Sequence, residues 1–215
     1  DGGNLKGDFI QTLDLTDIAT AWTETQGVRN KAQIWVFKAL KDIIQRVPFK
    51  ILGIDSDNGS EFINNHLLKF CLDEKISFTR SRPYRKNDNC FVEQKNYSIV
   101  RRYAGYYRYD TEVELNLLNE LYKILRLYTN CFLPTMKLIS KTRIGSKITR
   151  KYDKPKTPYQ RVMESPDVSK ENKDKLKTIY ITLNPAQLKR QIDNFQVKLL
   201  NIANRKRKKN TSALV

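Results

Sequence analysis

The 215-residue chain contains one histidine and three cysteines, and each shortage removes a class of function. Cys71, Cys90 and Cys131 are odd in number, and none belongs to a C-x-x-C pair. With His66 as the sole imidazole, a Cys/His zinc module cannot be assembled from this chain. Ser-His-Asp or Cys-His catalysis would have to use that same residue as its base. His66 lies in Asn64-Asn65-His66-Leu67-Leu68, which reads as a helix start carrying a surface histidine. Unpaired cysteines suit a reducing compartment, so a cytoplasmic, nucleoid-associated location is expected. No apolar run approaches the roughly 18 residues of a membrane-spanning helix, and no membrane partner is expected. Nothing in the pattern calls for a small-molecule substrate. The first residue is Asp1 rather than Met, and the chain reads as clipped at its start.

Positive charge, by contrast, is abundant. Forty Lys and Arg stand against 23 Asp and Glu, a net charge of +17. Such an excess points to a polyanionic partner, most simply DNA. The excess is not evenly spread. Residues 1–110 carry 17 basic and 14 acidic side chains, whereas residues 111–215 carry 23 and 9, a net +3 against +14. At 40% hydrophobic residues the chain has enough apolar material for a core, which excludes wholesale disorder.

Strand and helix signals alternate through the first half. Residues 8–15 alternate polar and apolar, as a half-buried strand does, and residues 21–25 supply a partner across a short turn. From Asn30 to Val47, Val36, Leu40, Ile43, Ile44 and Val47 recur at helical spacing until Pro48 stops the run. A strand over 49–54, a helix over 64–75, a short strand over 76–79 and a long helix over 89–107 follow. This order predicts an α/β fold with helices covering a mixed sheet. The second half shows no comparable strands. A helix is expected over 112–128, with Leu117, Leu118, Leu121, Leu125 and Tyr128 as its core stripe. A basic stretch over 137–156 comes next, then helices over 158–164, 169–180 and 185–203. The solid block Arg205-Lys206-Arg207-Lys208-Lys209 follows the last of these.

The chemistry-bearing residues lie in two motifs. In the first, the strand ending at Ile54 runs into Asp55-Ser56-Asp57-Asn58-Gly59-Ser60-Glu61-Phe62. On its own this reads as a strand-ending turn, because Asp-Asn-Gly is turn-forming. It also sets a carboxylate at the end of a sheet strand, where α/β folds place their sites. The second is Arg82-Pro83-Tyr84-Arg85-Lys86-Asn87-Asp88-Asn89-Cys90-Phe91-Val92-Glu93, entering the long helix. There a lone Glu would ordinarily serve the helix dipole.

Together, Ser-Asp-Asn-Gly-x-Glu-Phe and Pro-Tyr-x-x-Asn-Asp-x-x-x-Val-Glu, with 35 residues between Asp57 and Glu93, resemble the integrase-type core of DDE transposases. Residues 6–22, Lys-Gly-Asp-Phe through Thr-Ala-Trp, resemble a strand hairpin of that core. Looser matches, at 128–138 and 152–159, resemble bacterial insertion-sequence transposases. The resemblance implies an RNase H-like mixed sheet flanked by helices, followed by a mostly helical basic C-terminal region. It also implies metal-dependent DNA cleavage and strand transfer, in which Asp57 and Glu93 are catalytic and hold two Mg²⁺ (or Mn²⁺) ions. Hard divalent ions take carboxylate oxygens, so such a site needs neither histidine nor cysteine. The family's first Asp sits on a strand before the hairpin. This chain is expected to begin after that strand, with Asp1 in an Asp-Gly-Gly turn sequence rather than in the motif position.

Asn96 and Arg101 share a helical face with Glu93 at α-helical spacing, and either meet DNA phosphates or form a solvated face. Arg82, Arg85 and Lys86, together with Arg80, form a basic group in a loop that could track a DNA end. Lys147, Arg150 and Lys151, within 137–156, and the 205–209 block are candidates for sequence-tolerant phosphate contact. The expected organisation is a core over 1–110, a helical extension over 111–136, a basic linker over 137–157 and a helical C-terminal region over 158–215. The expected partners are DNA and further copies of the chain. Two alternatives stay open: an inactive or domesticated DNA-binding remnant, and an RNase H-like nuclease without strand transfer.

Overall fold

A computed structural model describes residues 7–57, 59, 65–82 and 94–212, with side chains described as far as residue 206. The alternation near the start produces β1 (Gln11–Thr16). It pairs antiparallel with β2 (Thr23–Val28), setting Gln11 opposite Val28 and Thr16 opposite Thr23. Asp17 holds the turn between them by accepting hydrogen bonds from the Thr20 amide at 2.6 Å and the Thr20 hydroxyl at 2.5 Å.

The periodic apolar run becomes α1 (Gln33–Arg46), which buries Val36, Ala39, Leu40 and Ile43 on one side. Its end is set by Pro48, since a residue preceding proline is forced out of the helical region. Val47 duly has φ −66° and ψ 141°. The next strand, β3 (Gly53–Ser56), begins four residues later than the apolar run at 49–54 suggested. A strand is defined by its ladder, and β4 (Ser77–Arg80) offers partners only from Ser77 onward, opposite Gly53. Phe49 and Ile51 instead pack their side chains against the interior. β3 and β4 run parallel and are joined through α2 (Asn65–Asp73), a β-α-β unit. His66 is exposed in the first turn of α2, as expected of a surface histidine.

After Lys95 the helix is not uniformly α. Asn96–Arg101 is π-helical and is closed by α3 (Arg102–Ala104), so the helix ends short of the expected Tyr107. Then α4 (Glu112–Phe132) starts from a reciprocal capping box between Thr111 and Glu114. Of the expected stripe, Leu118, Leu121 and Leu125 are buried and Leu117 and Tyr128 half-buried, and Tyr122, which the expected stripe did not include, is buried with them. α4 packs along α7 (Pro185–Ser212) and crosses β2. The crossing is close because residue 27 is glycine. A Cβ there would stand 3.2 Å from Leu115 Cδ1 and 3.3 Å from Asn119 Oδ1. Asn119 therefore reaches the β2 backbone, accepting from Gly27 N–H at 2.8 Å and donating to Gly27 C=O at 3.3 Å. Three helical turns later Asn130 does the same at Thr23, at 2.9 and 2.8 Å. These two amides stand in for a neighbouring strand along the outer edge of β2.

The basic stretch expected as a linker contains a β-hairpin, β5 (Leu138–Ile144) and β6 (Lys147–Tyr152), paired antiparallel. α5 (Pro158–Glu164) and α6 (Lys170–Ile181) follow, capped by Thr157 and Ser169. The architecture is thus mixed α/β: small sheets of both strand senses flanked by helices, with a mostly helical second half. Among the described residues the sheets are two-stranded. One core lies between the β1–β2 hairpin, α1 and α2, around Leu13, Leu40, Ile43 and Leu67. A second joins the π-helical segment, α4 and α7. A third gathers Val162, Val168 and Leu176 around Trp22.

Among the described residues two carboxylates are fully buried. Glu24 is fully buried, accepts from Trp22 Nε1 at 2.8 Å and is paired with Arg126, with Arg46 Nε at 3.6 Å. Glu114 is also fully buried. Burial raises its pKa, but Lys206 and the amides and hydroxyl of Asp110 and Thr111 outweigh that and hold it below the ordinary value.

Candidate functional site

Asp57 is the first residue beyond β3, so the parallel β3–β4 pair delivers it at the carboxyl end of the strands. Its side chain is exposed, and Oδ1 accepts the Gly59 amide at 3.0 Å. That is the side-chain turn expected of Asp-Asn-Gly. The turn and strand-end readings of this motif therefore coexist: the turn holds the carboxylate in position. Asp55, two residues earlier, is tied to β4 and beyond, accepting from Thr79 Oγ1 at 2.6 Å and Ser81 Oγ at 3.4 Å.

A cleft of about 950 Å³ opens beside Asp57. Among the described residues, β1 forms one wall and the chain from Phe49 to Asp57 another, while Asn96, Tyr97 and Arg101 contribute from the π-helical segment. α-Helical spacing had set 96, 97, 100 and 101 on one face. The wider π winding changes that grouping, because its hydrogen bonds run from i to i+5. Val100 turns inward with Ile99, Tyr97 is 69% exposed, and Asn96 and Arg101 both line the cleft. The Arg101 guanidinium lies over the Tyr106 ring at 4.6 Å, which limits its freedom.

Asp14, also on the cleft lining, was not singled out by the sequence. Both carboxylate oxygens are buried and lack a hydrogen-bond partner among the described residues. Burial raises the Asp14 pKa from 3.8 to about 7, with Lys95 pulling the other way. Lys95 is itself lowered by burial and partly restored by Asp14. In the sequence, Thr12 and Asp14 are polar positions of the alternation over 8–15, which reads as a half-buried strand. Their side of the strand is covered: Thr12 Oγ1 and the buried Tyr122 hydroxyl are 2.7 Å apart. The available signal was the length of the helical stripe in α4, which needs a sheet face to pack on.

The other expected site residues separate into groups. Arg82 is exposed just after β4. Glu93, Arg85 and Lys86 lie outside the described residues. Lys147, Arg150 and Lys151 are exposed together on β6. Within the basic tail, Lys206 is engaged internally, pairing with Asp110 and, at 2.6 Å, with Glu114. Among the described residues no three carboxylates, imidazoles or thiolates converge as a metal site, so Asp57 stands as one hard oxygen donor at the cleft. No helix among them is long and apolar enough to cross a membrane.

No protein-family model matches the chain. A curated relative, "Uncharacterized protein y4rM" of Sinorhizobium fredii (strain NBRC 101917 / NGR234), is 44% identical over 160 residues. The match covers 74% of this chain and 46% of that protein, so the chain spans about half the length of the relative. Similar solved structures are retroviral integrase catalytic cores. The BIV integrase core is 19% identical with a TM-score of 0.47, covering 74% of this chain and 88% of that one. The HTLV-2 integrase core in complex with magnesium, in its trimeric form, is 14% identical with a TM-score of 0.42, covering 58% and 83%. Its dimeric form gives 14%, 0.43, 59% and 86%. At such identities and TM-scores the likeness carries no chemistry over to this chain.

Proposed function

We propose that the chain carries part of a metal-dependent polynucleotidyl transferase of the transposase/integrase type, which cuts and joins DNA strands on an RNase H-like core. The observation that supports this most is that one cleft gathers Asp57 with Asn96 and Arg101. Asp57 comes from the Ser-Asp-Asn-Gly strand end. Asn96 and Arg101 come from the helix that the Pro-Tyr-x-x-Asn-Asp-x-x-x-Val-Glu motif enters. In this reading Asp57 and Glu93 hold the metal, Mg²⁺ or Mn²⁺. Asp57 fits as a donor, being a hard, accessible carboxylate at a strand end. A complete two-ion site requires Glu93 and a further carboxylate beside it. Bound ions of this kind polarise phosphoryl oxygens and clamp the attacking and leaving groups in line. Asn96 orients a phosphate by hydrogen bonding, and Arg101 neutralises it from a guanidinium already held against Tyr106. Arg82, Arg85 and Lys86 guide a DNA end toward the cleft.

The same reading assigns residues 1–110 to catalysis, 111–136 to the support of that core, and the basic stretch 137–157 with the 205–209 block to the grip on DNA, the helices over 158–204 connecting the two. Homo-oligomeric assembly on paired DNA ends and association with the nucleoid complete it.

The test uses the full-length protein on duplex DNA bearing the element's ends, with Mg²⁺, and scores nicked and joined products. Asp57→Asn and Glu93→Gln are each expected to cut product formation by about 100-fold or more, since even outer partners of a metal site cost 10–100-fold. Both are expected to leave DNA binding in place. Unchanged product formation in both variants overturns the reading. A wild-type protein that binds the ends but forms no product supports the DNA-binding remnant instead. Nicking without joining supports the nuclease.

A further inference from the structure

We infer that the β5–β6 hairpin is a rigidly rooted arm that enters the major groove of duplex DNA. The inference shares DNA as partner with the proposed function but not its chemistry, and the two fail separately.

Every residue of both strands is exposed, so among the described residues no sheet, helix or core lies beneath the hairpin. A two-stranded ribbon of this kind is at best marginally stable by itself. This one carries five cations, Lys141, Arg143, Lys147, Arg150 and Lys151, and no acid. None forms an ion pair with a described residue, in contrast to Lys156, which pairs with Glu164 at 2.6 Å. The register makes the crowding worse. Lys141 stands directly opposite Arg150, and like charges facing each other across a ladder are destabilising. Cations on an exposed strand also deter edge-to-edge aggregation, but that purpose does not require two of them to oppose each other. A polyanion resolves the conflict.

The root of the arm is built differently. Asp153 accepts from the Lys137 amide at 2.6 Å and from Arg161 Nη1 at 2.7 Å. Its own amide donates to Lys137 C=O at 2.9 Å. Arg161 also donates to Thr135 C=O at 2.9 Å. Lys137 Nζ reaches across to the β1–β2 turn, donating to Ile18 C=O at 2.8 Å and Ala19 C=O at 2.7 Å. The hydrogen bonds from Arg161 and Lys137 hold the Asp153 carboxyl below its usual range. At the tip, Gly145 takes φ +62° in a two-residue turn, and nothing lies within 4 Å of where its Cβ would be. The arm is therefore fixed to the body at one end and free at the other. That arrangement presents charge without the entropy cost of ordering a loose tail.

Shape then selects the partner. A seven-residue strand reaches roughly 20–24 Å. A B-DNA major groove, about 12 Å wide, admits a two-stranded β-ribbon, whereas the deep, narrow major groove of A-form RNA does not. Successive side chains alternate between faces. Lys141, Arg143 and Arg150 thus share one face with Ile148, while Lys147 and Lys151 share the other with Ile144. Cations on both faces suit a ribbon flanked by phosphates on both walls of a groove. Ile144, 78% exposed at the tip, is an apolar side chain available to thymine methyl groups.

The test measures binding of the full-length protein to a 30-base-pair duplex by fluorescence anisotropy across a salt series, with dimethyl sulfate probing of guanine N7. The triple variant Lys141→Ser, Arg143→Ser, Arg150→Ser is compared with a control that loses equal charge from exposed helix positions, Lys170→Ser, Lys177→Ser, Arg190→Ser. The salt slope is expected to fall by about 0.9 for each ribbon cation that sat on a phosphate. The control should stay near the wild-type slope. N7 protection should be present with wild type and control and absent with the triple variant. Should the triple variant unfold early, Lys147→Ser with Lys151→Ser on the opposite face gives the same readout. Equal slopes for ribbon and control variants overturn the inference, as does unprotected N7 in the wild-type complex or equal affinity for duplex RNA. Asp57→Asn should leave all of these readouts unchanged, which separates this result from any failure of the catalytic reading.

Discussion

β2 and β6 are both six-residue strands in antiparallel hairpins, yet they solve opposite problems. All of β2 is buried except Gln26, which is half-buried, and Asn119 and Asn130 satisfy its outer edge. All of β6 is exposed, and no described residue covers it. One strand holds the protein together, so its polar groups need fixed partners inside the chain. The other contributes little to the core, so its charges are available to something outside. The contrast predicts that substitutions near β2 affect stability, while substitutions on the ribbon affect binding.

The largest stability effect is expected at Glu24. Glu24→Gln leaves Arg46 and Arg126 without their carboxylate, and breaking a buried pair costs about 3–5 kcal/mol. The lower end applies, because both guanidiniums retain some exposure to water. Urea unfolding at pH 7 measures it. A loss below about 1 kcal/mol would show that the β2 region tolerates an unpaired charge as well as a surface does.

Asp14 is the exception within the buried region, and it gives the next effect. Its folded-state pKa of about 7 lies above the ordinary 3.8 of an aspartate because burial disfavours the carboxylate. A raised acid contributes stability that is fully present below pH 4 and is lost as pH rises through 7. Asp14→Asn removes that dependence. Relative to wild type, the variant should be about equal at pH 4 and more stable by roughly 2–4 kcal/mol at pH 8, most of the gain arising between pH 4 and 7. Lys95, which faces Asp14 and loses its counter-charge in the variant, trims the gain. A pH-independent difference in melting temperature would remove Asp14 as the titrating group.

Asn130→Ala should come third. It leaves the Thr23 N–H and C=O buried without partners, at about 1–3 kcal/mol for an unsatisfied group. Asn119→Ala should cost less, because its site is only partly buried. Equal losses at the two positions would show that depth of burial does not set the cost.

The same contrast explains how much of the molecule was legible in its sequence. α1 was plain because Val36, Leu40 and Ile43 recur at helical spacing and Pro48 ends the run; periodicity reports burial on one face. The ribbon buries neither face, so it leaves no such pattern. Its turn at Gly145-Ser146, flanked by Ile144, Ile148 and Thr149, was the available signal, and the lysines obscured it. The π-helical segment escaped because its winding is not written in residue spacing. Of the site, Asp57 was legible as a strand-end acid, whereas Asp14 was not. The raised pKa of Asp14 comes from burial, which residue spacing does not report, and Lys95, 81 positions away along the chain, opposes it.

The smallest stability effect is expected on the ribbon, and there the sign is the informative quantity. Lys141→Glu turns the opposed Lys141 and Arg150 into an attractive cross-strand pair. Such a pair contributes roughly 0.2–1 kcal/mol, with the lower end applying at exposed positions. The variant should therefore melt slightly higher than wild type in low salt, and the difference should shrink as salt screens it. Affinity for duplex DNA should move the opposite way, falling because a cation has become an anion on the face that meets phosphate. A substitution that strengthens the fold and weakens the complex identifies a charge kept for its partner. If Lys141→Glu lowers both, the ribbon is a structural element like β2, and the contrast between the two strands disappears.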